Sequence, residues 1–224
     1  MRLTILGLLM ATLLVTGCKR DPKVSTKLFA DFFVRYLQDV AEMKAQASFN
    51  EGDSLTTASP KTIQGGVAFQ GSGMEMRSVQ NTLVRYTMHR RSLFNPPFNF
   101  SYQGTNGEIQ SYTVPLLGID SFYVRGDVSI TKGMTLVMKG APYTPEEGLV
   151  LLFSDSNNNA QSLSFNGFSG NELFIPAEKL AILTPGPWKL YLVRKISKIE
   201  STPATNILGA GEFYTRTIDI DVKE

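Results

Sequence analysis

From Gly65 to the end of the chain, apolar and polar residues alternate in short runs. In the last of these runs, FYTRTIDIDV, the apolar phase consists of Tyr214, Ile218, Ile220 and Val222. A period of two residues is typical of a strand with one buried face. Glycine, proline, asparagine and aspartate separate the runs, as they do in turns between short antiparallel strands. The pattern therefore predicts an all-β fold, an antiparallel β-sandwich.

Residues 28–45 are compatible with a helix or with strands. Their apolar residues follow helical spacing from Phe29 to Met43, with charged residues on the other side. A strict alternation with polar residues follows, which is typical of a strand, and its apolar members are Met43, Ala45, Ala47 and Phe49. Because the chain downstream is β, we predict strand, turn and strand here, and no other long helix after the leader.

A break in the alternation at PLLGID, residues 115–120, predicts a domain boundary. Residues 28–116 would form an N-terminal β-sandwich domain, and residues 117–224 a C-terminal one. The stretch IPAEKLAILTPGPW resembles the crossing between sheets of immunoglobulin-like domains. The resemblance implies two tandem immunoglobulin-like domains, and it is architectural only because the disulfide of antibody domains is missing. A single sandwich with elaborate loops is the alternative.

The first residues of the chain have the features of a signal peptide. Arg2 provides a positive charge, and an apolar run of 13 residues extends from Leu3 to Val15. This run is too short for a membrane-spanning helix, which needs about 20 apolar residues, and it matches a signal-peptide core. The run ends in VTGC, which contains the one cysteine of the chain, Cys18. We expect residues 1–17 to be a signal peptide and residues 18–27 a polar tether.

The VTGC segment resembles the lipobox of bacterial lipoproteins, in which a small residue precedes an acylated cysteine. The resemblance implies cleavage between Gly17 and Cys18 and acylation of Cys18, and several acyl chains anchor a protein firmly. Lys19 replaces the aspartate that retains enterobacterial lipoproteins in the inner membrane, which favours the outer membrane. Surface lipoproteins of Bacteroidota carry an acid-rich signal after the cysteine, whereas CKRDPK is mostly basic. The periplasmic and surface faces of the membrane therefore both stay open.

The composition excludes several classes of function. The 22 lysines and arginines nearly balance 20 acidic residues, so nucleic acid is not an expected partner. Aromatic residues at 10% and apolar residues at 42% suit a globular core rather than a disordered tail. After cleavage, Cys18 would be the only thiol, so we expect no internal disulfide and no cysteine metal site.

Motifs for common catalytic chemistries are missing from the sequence. His89, the only histidine, lies on the polar phase of a predicted strand, and no G-x-S-x-G nucleophile motif or dinucleotide fingerprint is present. The segment SDSNNN begins like a calcium loop at Asp155, but Ala160 and Asn166 replace the glycine and the glutamate that such a loop requires. A hairpin tip explains this segment. The sequence therefore predicts no catalytic residue, no metal site and no cofactor.

Loops that contain aromatic or apolar residues are the predicted binding sites. GAPYTPEEG contains Tyr143. Trp188 begins a strong strand, where core packing is the favoured interpretation and a platform for a sugar ring the alternative. SKIESTPATNILGAG, residues 197–211, is predicted to be a long loop, and long loops in compact domains are often functional. Its candidate contact residues are Ile199, Ile207 and Leu208.

One short motif predicts a modification. DSL, residues 53–55, resembles the O-glycosylation motif of Bacteroidota, which implies a glycan on Ser54. The match covers only three residues. Its polar surroundings after a predicted strand are compatible with an accessible site.

Two classes of function stay open. The favoured one is a lipid-anchored outer-membrane protein that binds or scaffolds without catalysis, with an envelope protein or a glycan as its partner. The alternative is a hydrolase whose carboxylates meet only in the folded chain. Glu146 and Glu147 are a poor pair for that role, because adjacent side chains in a loop diverge whereas glycosidase carboxylates face each other across the sugar.

Overall fold

The computed structural model describes residues 26–79, 82–104, 106–157 and 159–224. The predicted signal peptide, the lipidation site Cys18 and the tether up to residue 25 lie outside the described residues. Within them the fold is nearly all β, which confirms the predicted fold class. The described residues include no helix that is long and apolar enough to cross a membrane.

The described residues form 17 strands and one short helix, numbered here in chain order. The strands are β1 (Lys27–Leu37), β2 (Glu42–Gly52), β3 (Ser59–Pro60), β4 (Val67–Phe69), β5 (Ser72–Gly73), β6 (Glu75–Val79), β7 (Leu83–Arg91), β8 (Phe98–Gln103), β9 (Ile109–Val114), β10 (Ser121–Ser129), β11 (Gly133–Lys139), β12 (Glu147–Asp155), β13 (Ala160–Asn166), β14 (Glu172–Ile175), β15 (Gly186–Ser201), β16 (Thr205–Tyr214) and β17 (Ile218–Lys223). The helix α1 (Ala177–Leu180) lies between β14 and β15.

Strands β1 and β2 form an antiparallel hairpin, which confirms strand, turn and strand for the ambiguous region. The alternating apolar residues of β2 are buried, and they are Met43, Ala45, Ala47 and Phe49. Aromatic residues occupy both faces of β1, where Phe32 is fully buried and Phe33 is half-buried. This two-sided apolar pattern is the reason that the sequence of β1 also fits a helix.

The largest sheet, called the long sheet below, runs in the order β14-β11-β10-β17-β15-β16-β1-β2-β7-β6. β12 pairs with β15 and with β13, and β3 pairs with β2. β15 pairs with β17 through its first half and with β16 through its second half. Most ladders are antiparallel, as predicted, but the β1–β16 and β10–β17 ladders are parallel.

A second sheet, β5-β4-β8-β9, packs against the inner face of the long sheet at β1 and β2. Phe32 stacks on Tyr112 of β9 with ring centroids 5.0 Å apart, and it lies 4.9 Å from Phe100 of β8. Phe49 lies 5.0 Å from Tyr102 of β8. All five rings are buried. The two sheets therefore form a sandwich with an aromatic centre.

The long sheet continues across the predicted domain boundary at residue 116. β1 belongs to the predicted N-terminal domain, and it pairs along almost its whole length with β16 of the C-terminal one. Tyr36 and Phe213 stack across this ladder with ring centroids 5.6 Å apart. Buried residues from both sides of the boundary belong to one cluster. Tandem immunoglobulin-like domains stay a prediction, and the two regions share one hydrogen-bonded sheet.

Candidate functional site

One face of the long sheet points away from the aromatic centre of the sandwich. Along β1, Phe32 and Val34 are fully buried, whereas Phe33 and Arg35 point to the other side and are half-buried. β2 and β16 flank β1 within the sheet, and β9 contacts it from the inner side. The opposite side of β12, β15, β16, β1, β2, β7 and β6 is called the open face below. Three cavities lie on it.

The first cavity is an apolar groove of about 320 Å³ beside the beginning of β1. Phe29 and Leu208 contribute to its lining, and so do the exposed side chains of Leu55 and Ile199. Asp31 is the only charged residue among those that line it. The groove therefore combines a mostly apolar wall with one carboxyl group.

The pKa of the Asp31 carboxyl is raised above its usual value. Burial is the main cause, because the groove walls keep water from part of the carboxyl group, and the guanidinium group of Arg85 acts in the opposite direction. The side chain still has solvent contact at the mouth of the groove. Its desolvation is therefore only partial.

The second cavity, of about 480 Å³, is called the cationic cavity because basic side chains dominate its lining. Its basic residues are Arg35, Lys44, Arg77, Arg85 and His89. Neutral polar side chains lie between them, from Gln46 on β2 and Thr87 on β7. Strand alternation in the sequence placed His89 on a polar phase, but only the pairing of the strands brings it together with the other four basic residues.

Two of the basic groups in the cationic cavity have acidic partners. His89 Nε2 lies 2.6 Å from Glu42 Oε1. Arg77 donates two hydrogen bonds to Glu75, at 3.2 Å and 3.1 Å. The Lys44 ammonium group makes no hydrogen bond or ion pair within the described part of the chain. The cavity therefore contains at least one cation without a partner among these residues.

The third cavity, of about 460 Å³, places aromatic and charged groups side by side. Phe33 lines it together with an ion pair of 3.2 Å between Lys195 Nζ and Glu212 Oε1. Nearby, Tyr214 Oη donates a hydrogen bond of 3.0 Å to Glu212, and Arg35 Cζ lies 6.0 Å from the centroid of the Tyr214 ring. Desolvation raises the pKa of Tyr214, and the bond to Glu212 raises it further.

Residues 197–211, predicted to be a long loop, form a β-hairpin instead. β15 continues to Ser201 and β16 begins at Thr205, so only residues 202–204 lie between the two strands. The loop prediction is wrong because residues on both faces of β15 are exposed near the tip. Exposure on both sides removes the apolar alternation by which a half-buried strand is recognised.

All three contact residues predicted in this segment line the apolar groove. Ile199 of β15 is opposite Leu208 of β16, and both line the groove. Ile207 also borders the groove, but its side chain packs against the core. Ile199 is 72% exposed, so its side chain is available to a ligand.

Tyr143 and Trp188, predicted as aromatic contacts, are both buried. Tyr143 is 2% exposed, because its ring lies 4.2 Å below Arg194 Cζ and 4.7 Å from the ring of Phe168. Trp188 is 5% exposed, and its Nε1 donates a hydrogen bond of 2.9 Å to the carbonyl oxygen of Thr184. Neither ring presents a binding surface, and Trp188 packs in the core.

A buried ion pair that was not predicted from the sequence joins β12 and β15. Arg194 is fully buried, and its Nε and Nη2 each lie 2.7 Å from a carboxylate oxygen of Glu147. Its guanidinium group also donates hydrogen bonds to the carbonyl oxygens of Gly118, Ala141 and Pro142. Arg194 lies on the same side of β15 as the buried residues Leu190 and Leu192. This alternation in the sequence could have predicted that the Arg194 side chain is buried.

The side chains of Glu146 and Glu147 lie in different surroundings, as predicted for adjacent residues of a loop. Glu147 is 3% exposed and binds Arg194, whereas Glu146 is exposed to solvent. A backbone hydrogen bond, together with one from the Thr144 side chain, lowers the pKa of the Glu146 carboxyl. The two carboxylates therefore do not face a common substrate position.

Three other positions singled out in the sequence lie at or near the surface. Asp155 lies at the tip of the hairpin between β12 and β13. Its carboxylate accepts hydrogen bonds of 2.8 Å from the backbone N–H groups of Asn157 and Asn159. His89 is 61% exposed at its side chain. Ser54 is exposed, with its Oγ 2.9 Å from the hydroxyl groups of two neighbouring threonines. Glycosylation of Ser54 stays a prediction.

Among the described residues, no three side chains of His, Cys, Asp or Glu come together in a way that would hold a metal ion. No protein-family model matches this chain, and a comparison with curated proteins found no match. The open face and its three cavities are therefore the candidate binding site, on the basis of their shape and lining residues.

Proposed function

We propose that this protein is anchored in the outer membrane by a lipid on Cys18 and binds an envelope glycan or protein through its open face, without catalysis. The open face is the observation that carries the binding role. A sheet in a sandwich needs only one buried face, yet this sheet also carries the aromatic residues Phe33 and Tyr214, half-buried, on the other face. The charged pair Arg35 and Glu212 lies between the two rings. This mixture of aromatic and charged groups on an exposed face suits a partner that offers both apolar and polar groups.

The volumes of the cavities and the strands on which they are built support this proposal. Their volumes, between 320 and 480 Å³, fall within the range of ligand pockets, about 300–1,000 Å³. They are built mainly on neighbouring strands of one hydrogen-bonded sheet, so backbone ladders hold their lining residues in place. A site on strands is positioned more exactly than a site on loops.

The proposed anchoring rests on the leader sequence. The apolar run, the small residue before Cys18 and the polar segment after it all agree with a lipoprotein signal. Residues 18–26 separate Cys18 from β1, and a fully extended tether of this length spans about 30 Å. Such a tether would keep the sandwich close to the membrane.

The first test replaces the lipidated residue. We expect Cys18→Ser to abolish labelling by a radioactive or clickable fatty acid, because only a thiol at this position receives the first lipid. The precursor should then accumulate uncut, as measured by its mass and by membrane fractionation. A substituted protein that still fractionates as a processed, lipid-labelled membrane species would contradict the anchoring proposal.

The second test removes an aromatic contact from the open face. We expect Phe33→Ala to weaken binding of the lipidated protein to envelope fragments about tenfold, because truncation of a central aromatic contact typically costs more than 1 kcal/mol of binding free energy. Co-sedimentation with fragments from cells that lack the protein measures this affinity.

Phe174→Ala is the matched control for this test. Phe174 is 59% exposed on β14, at the far edge of the long sheet, so the same truncation there should leave the affinity unchanged. Equal affinities of the folded Phe33→Ala variant and the unchanged protein would remove the open face from the proposal. A measured turnover of any glycan or peptide would contradict the non-catalytic part.

A further inference from the structure

Basic residues on the open face lie directly opposite one another in the strand ladders. Arg35 of β1 is opposite Lys44 of β2, and Lys44 is opposite His89 of β7. Arg85 of β7 is opposite Arg77 of β6. Side chains in such positions have Cβ atoms about 4.5–5.5 Å apart, and like charges there destabilise a sheet. Glu212, Glu42 and Glu75 already offset this cost beside Arg35, His89 and Arg77, respectively. Lys44 and Arg85 have no such ion-paired partner among the described residues, so these two cations call for a functional explanation.

We propose that the cationic cavity binds an acidic oligosaccharide, whose anionic groups neutralise these opposed cations. The inference rests on the proposed ligand-binding role of the open face, and it names the class of ligand. Carboxylate, sulfate and phosphate groups share the chemistry that the cavity requires, since each accepts charge-assisted hydrogen bonds from arginine and lysine.

The basic residues form two rows, and neutral side chains line the cavity between them. The first row consists of Arg35, Lys44 and His89, and the second consists of Arg85 and Arg77. His89 and Arg85 are four residues apart on β7, which places the rows about 13 Å apart along the strand. Gln46 and Thr87 line the cavity between the rows and offer hydrogen bonds to neutral hydroxyl groups. A saccharide with charged groups spaced along a hydroxyl-rich chain matches this arrangement, in which neutral polar side chains lie between two rows of basic ones.

One cation in each row is available for a ligand. Lys44 in the first row makes no hydrogen bond or ion pair within the described part of the chain. Arg85 in the second row makes no hydrogen bond or salt bridge there either, although Asp31 lies near enough to interact with its charge. His89 and Arg77 already have acidic partners. Lys44 and Arg85 are therefore the principal contacts.

The surroundings favour a saccharide over the headgroups of the anchoring membrane. Phe33 lies opposite Gln46 on the same face, and Tyr214 lies beside Arg35, so aromatic surface borders the cations and can pack against the apolar side of a sugar ring. Arg35 is also about 26 Å along β1 from Lys27, the end that leads to the tether. The first row therefore lies far from the anchored end of the strand.

The experiment uses the full-length lipidated protein in detergent micelles. Calorimetric titration with oligogalacturonate tests carboxylate groups, and titration with heparin oligosaccharides tests sulfate groups. A neutral galactan oligosaccharide of the same length is the control for the sugar chain. We expect binding of at least one acidic probe, no binding of the neutral one, and an affinity that falls as salt is added, because salt screens exposed charges.

Paired variants locate the site. Lys44→Gln with Arg85→Gln is expected to lower the affinity for the acidic probe about a hundredfold, tenfold for each charge-assisted contact. Lys132→Gln with Lys139→Gln removes the same charge from exposed positions at the ends of β11, and it should leave the affinity unchanged. The melting temperature of the first variant should be equal to or above that of the unchanged protein, because opposed like charges have been removed.

Four results would overturn the inference: no binding of either acidic probe, equal binding of the neutral probe, equal losses in the two paired variants, or binding of an oligo-aspartate peptide in place of the saccharides. The last result would assign the cavity to an acidic protein segment. In all four cases, a loss of envelope binding by Phe33→Ala would leave the proposed function standing, so the two failures are distinguishable.

Discussion

Replacement of Arg194 by methionine is expected to lower the free energy of unfolding by about 3–5 kcal/mol. The methionine fills part of the space, but it leaves the Glu147 carboxylate buried without a cation and three backbone carbonyl groups without their donor. An unpaired buried charge is among the most destabilising changes that a folded protein can undergo. Urea denaturation of the full-length protein, followed by tryptophan fluorescence, measures the loss.

Two further variants distinguish the destabilisation caused by the unpaired, buried carboxylate from that caused by the loss of any arginine side chain. Arg194→Met combined with Glu147→Leu should recover part of the stability, because the second substitution removes the unpaired carboxylate. Arg125→Met is the surface control, since Arg125 makes a two-bond contact of 2.6 and 2.9 Å with Glu172 in solvent. Exposed ion pairs contribute little to stability. A similar loss from Arg194→Met and Arg125→Met would contradict the structural role of the buried pair.

Phe32→Ala is expected to lower the free energy of unfolding by about 3–5 kcal/mol, as truncation of a fully buried phenylalanine does. The Phe32 ring meets four other rings between the two sheets, and they belong to Phe49, Phe100, Tyr102 and Tyr112. Its loss would leave a cavity where β1 meets the second sheet. The same denaturation experiment measures the effect.

The neighbouring residue provides the matched control for this truncation. Phe33 undergoes the same change of side chain on the same strand, but it is half-buried on the open face. Phe33→Ala should therefore cost less than half as much stability as Phe32→Ala. Equal losses would mean that the two faces of β1 are buried alike, which would contradict both the aromatic centre and the open face.

Local pattern was sufficient to predict the fold class and several elements. The alternation at Met43, Ala45, Ala47 and Phe49 depends only on which face of β2 is buried, so a single sequence reveals it. The hairpin tip at Asp155 is likewise a local feature, held by hydrogen bonds to the next few residues. Features of this kind do not require knowledge of which strands pair.

Features that depend on distant pairing could not be predicted. The parallel ladder between β1 and β16 joins residues at opposite ends of the chain, and no local pattern indicates it. The cationic cavity has the same origin, because Lys44 and Arg85 are ordinary polar positions until the register of β2, β7 and β6 is known. Tyr143 lies in the loop between β11 and β12, as predicted, but its burial could not be predicted because its partner Arg194 is remote in sequence.

The parallel ladder between β1 and β16 also has a consequence for folding during synthesis. β1 is synthesised long before β16, because fourteen other strands and a helix lie between them in the chain. Contacts between such distant segments carry a large loop-closure entropy, and folds dominated by them form slowly. One edge of the aromatic segment LFADFFVRYL therefore lacks its partner strand until β16 has been synthesised. We therefore expect this edge to be where a nascent chain of this sequence needs protection from aggregation.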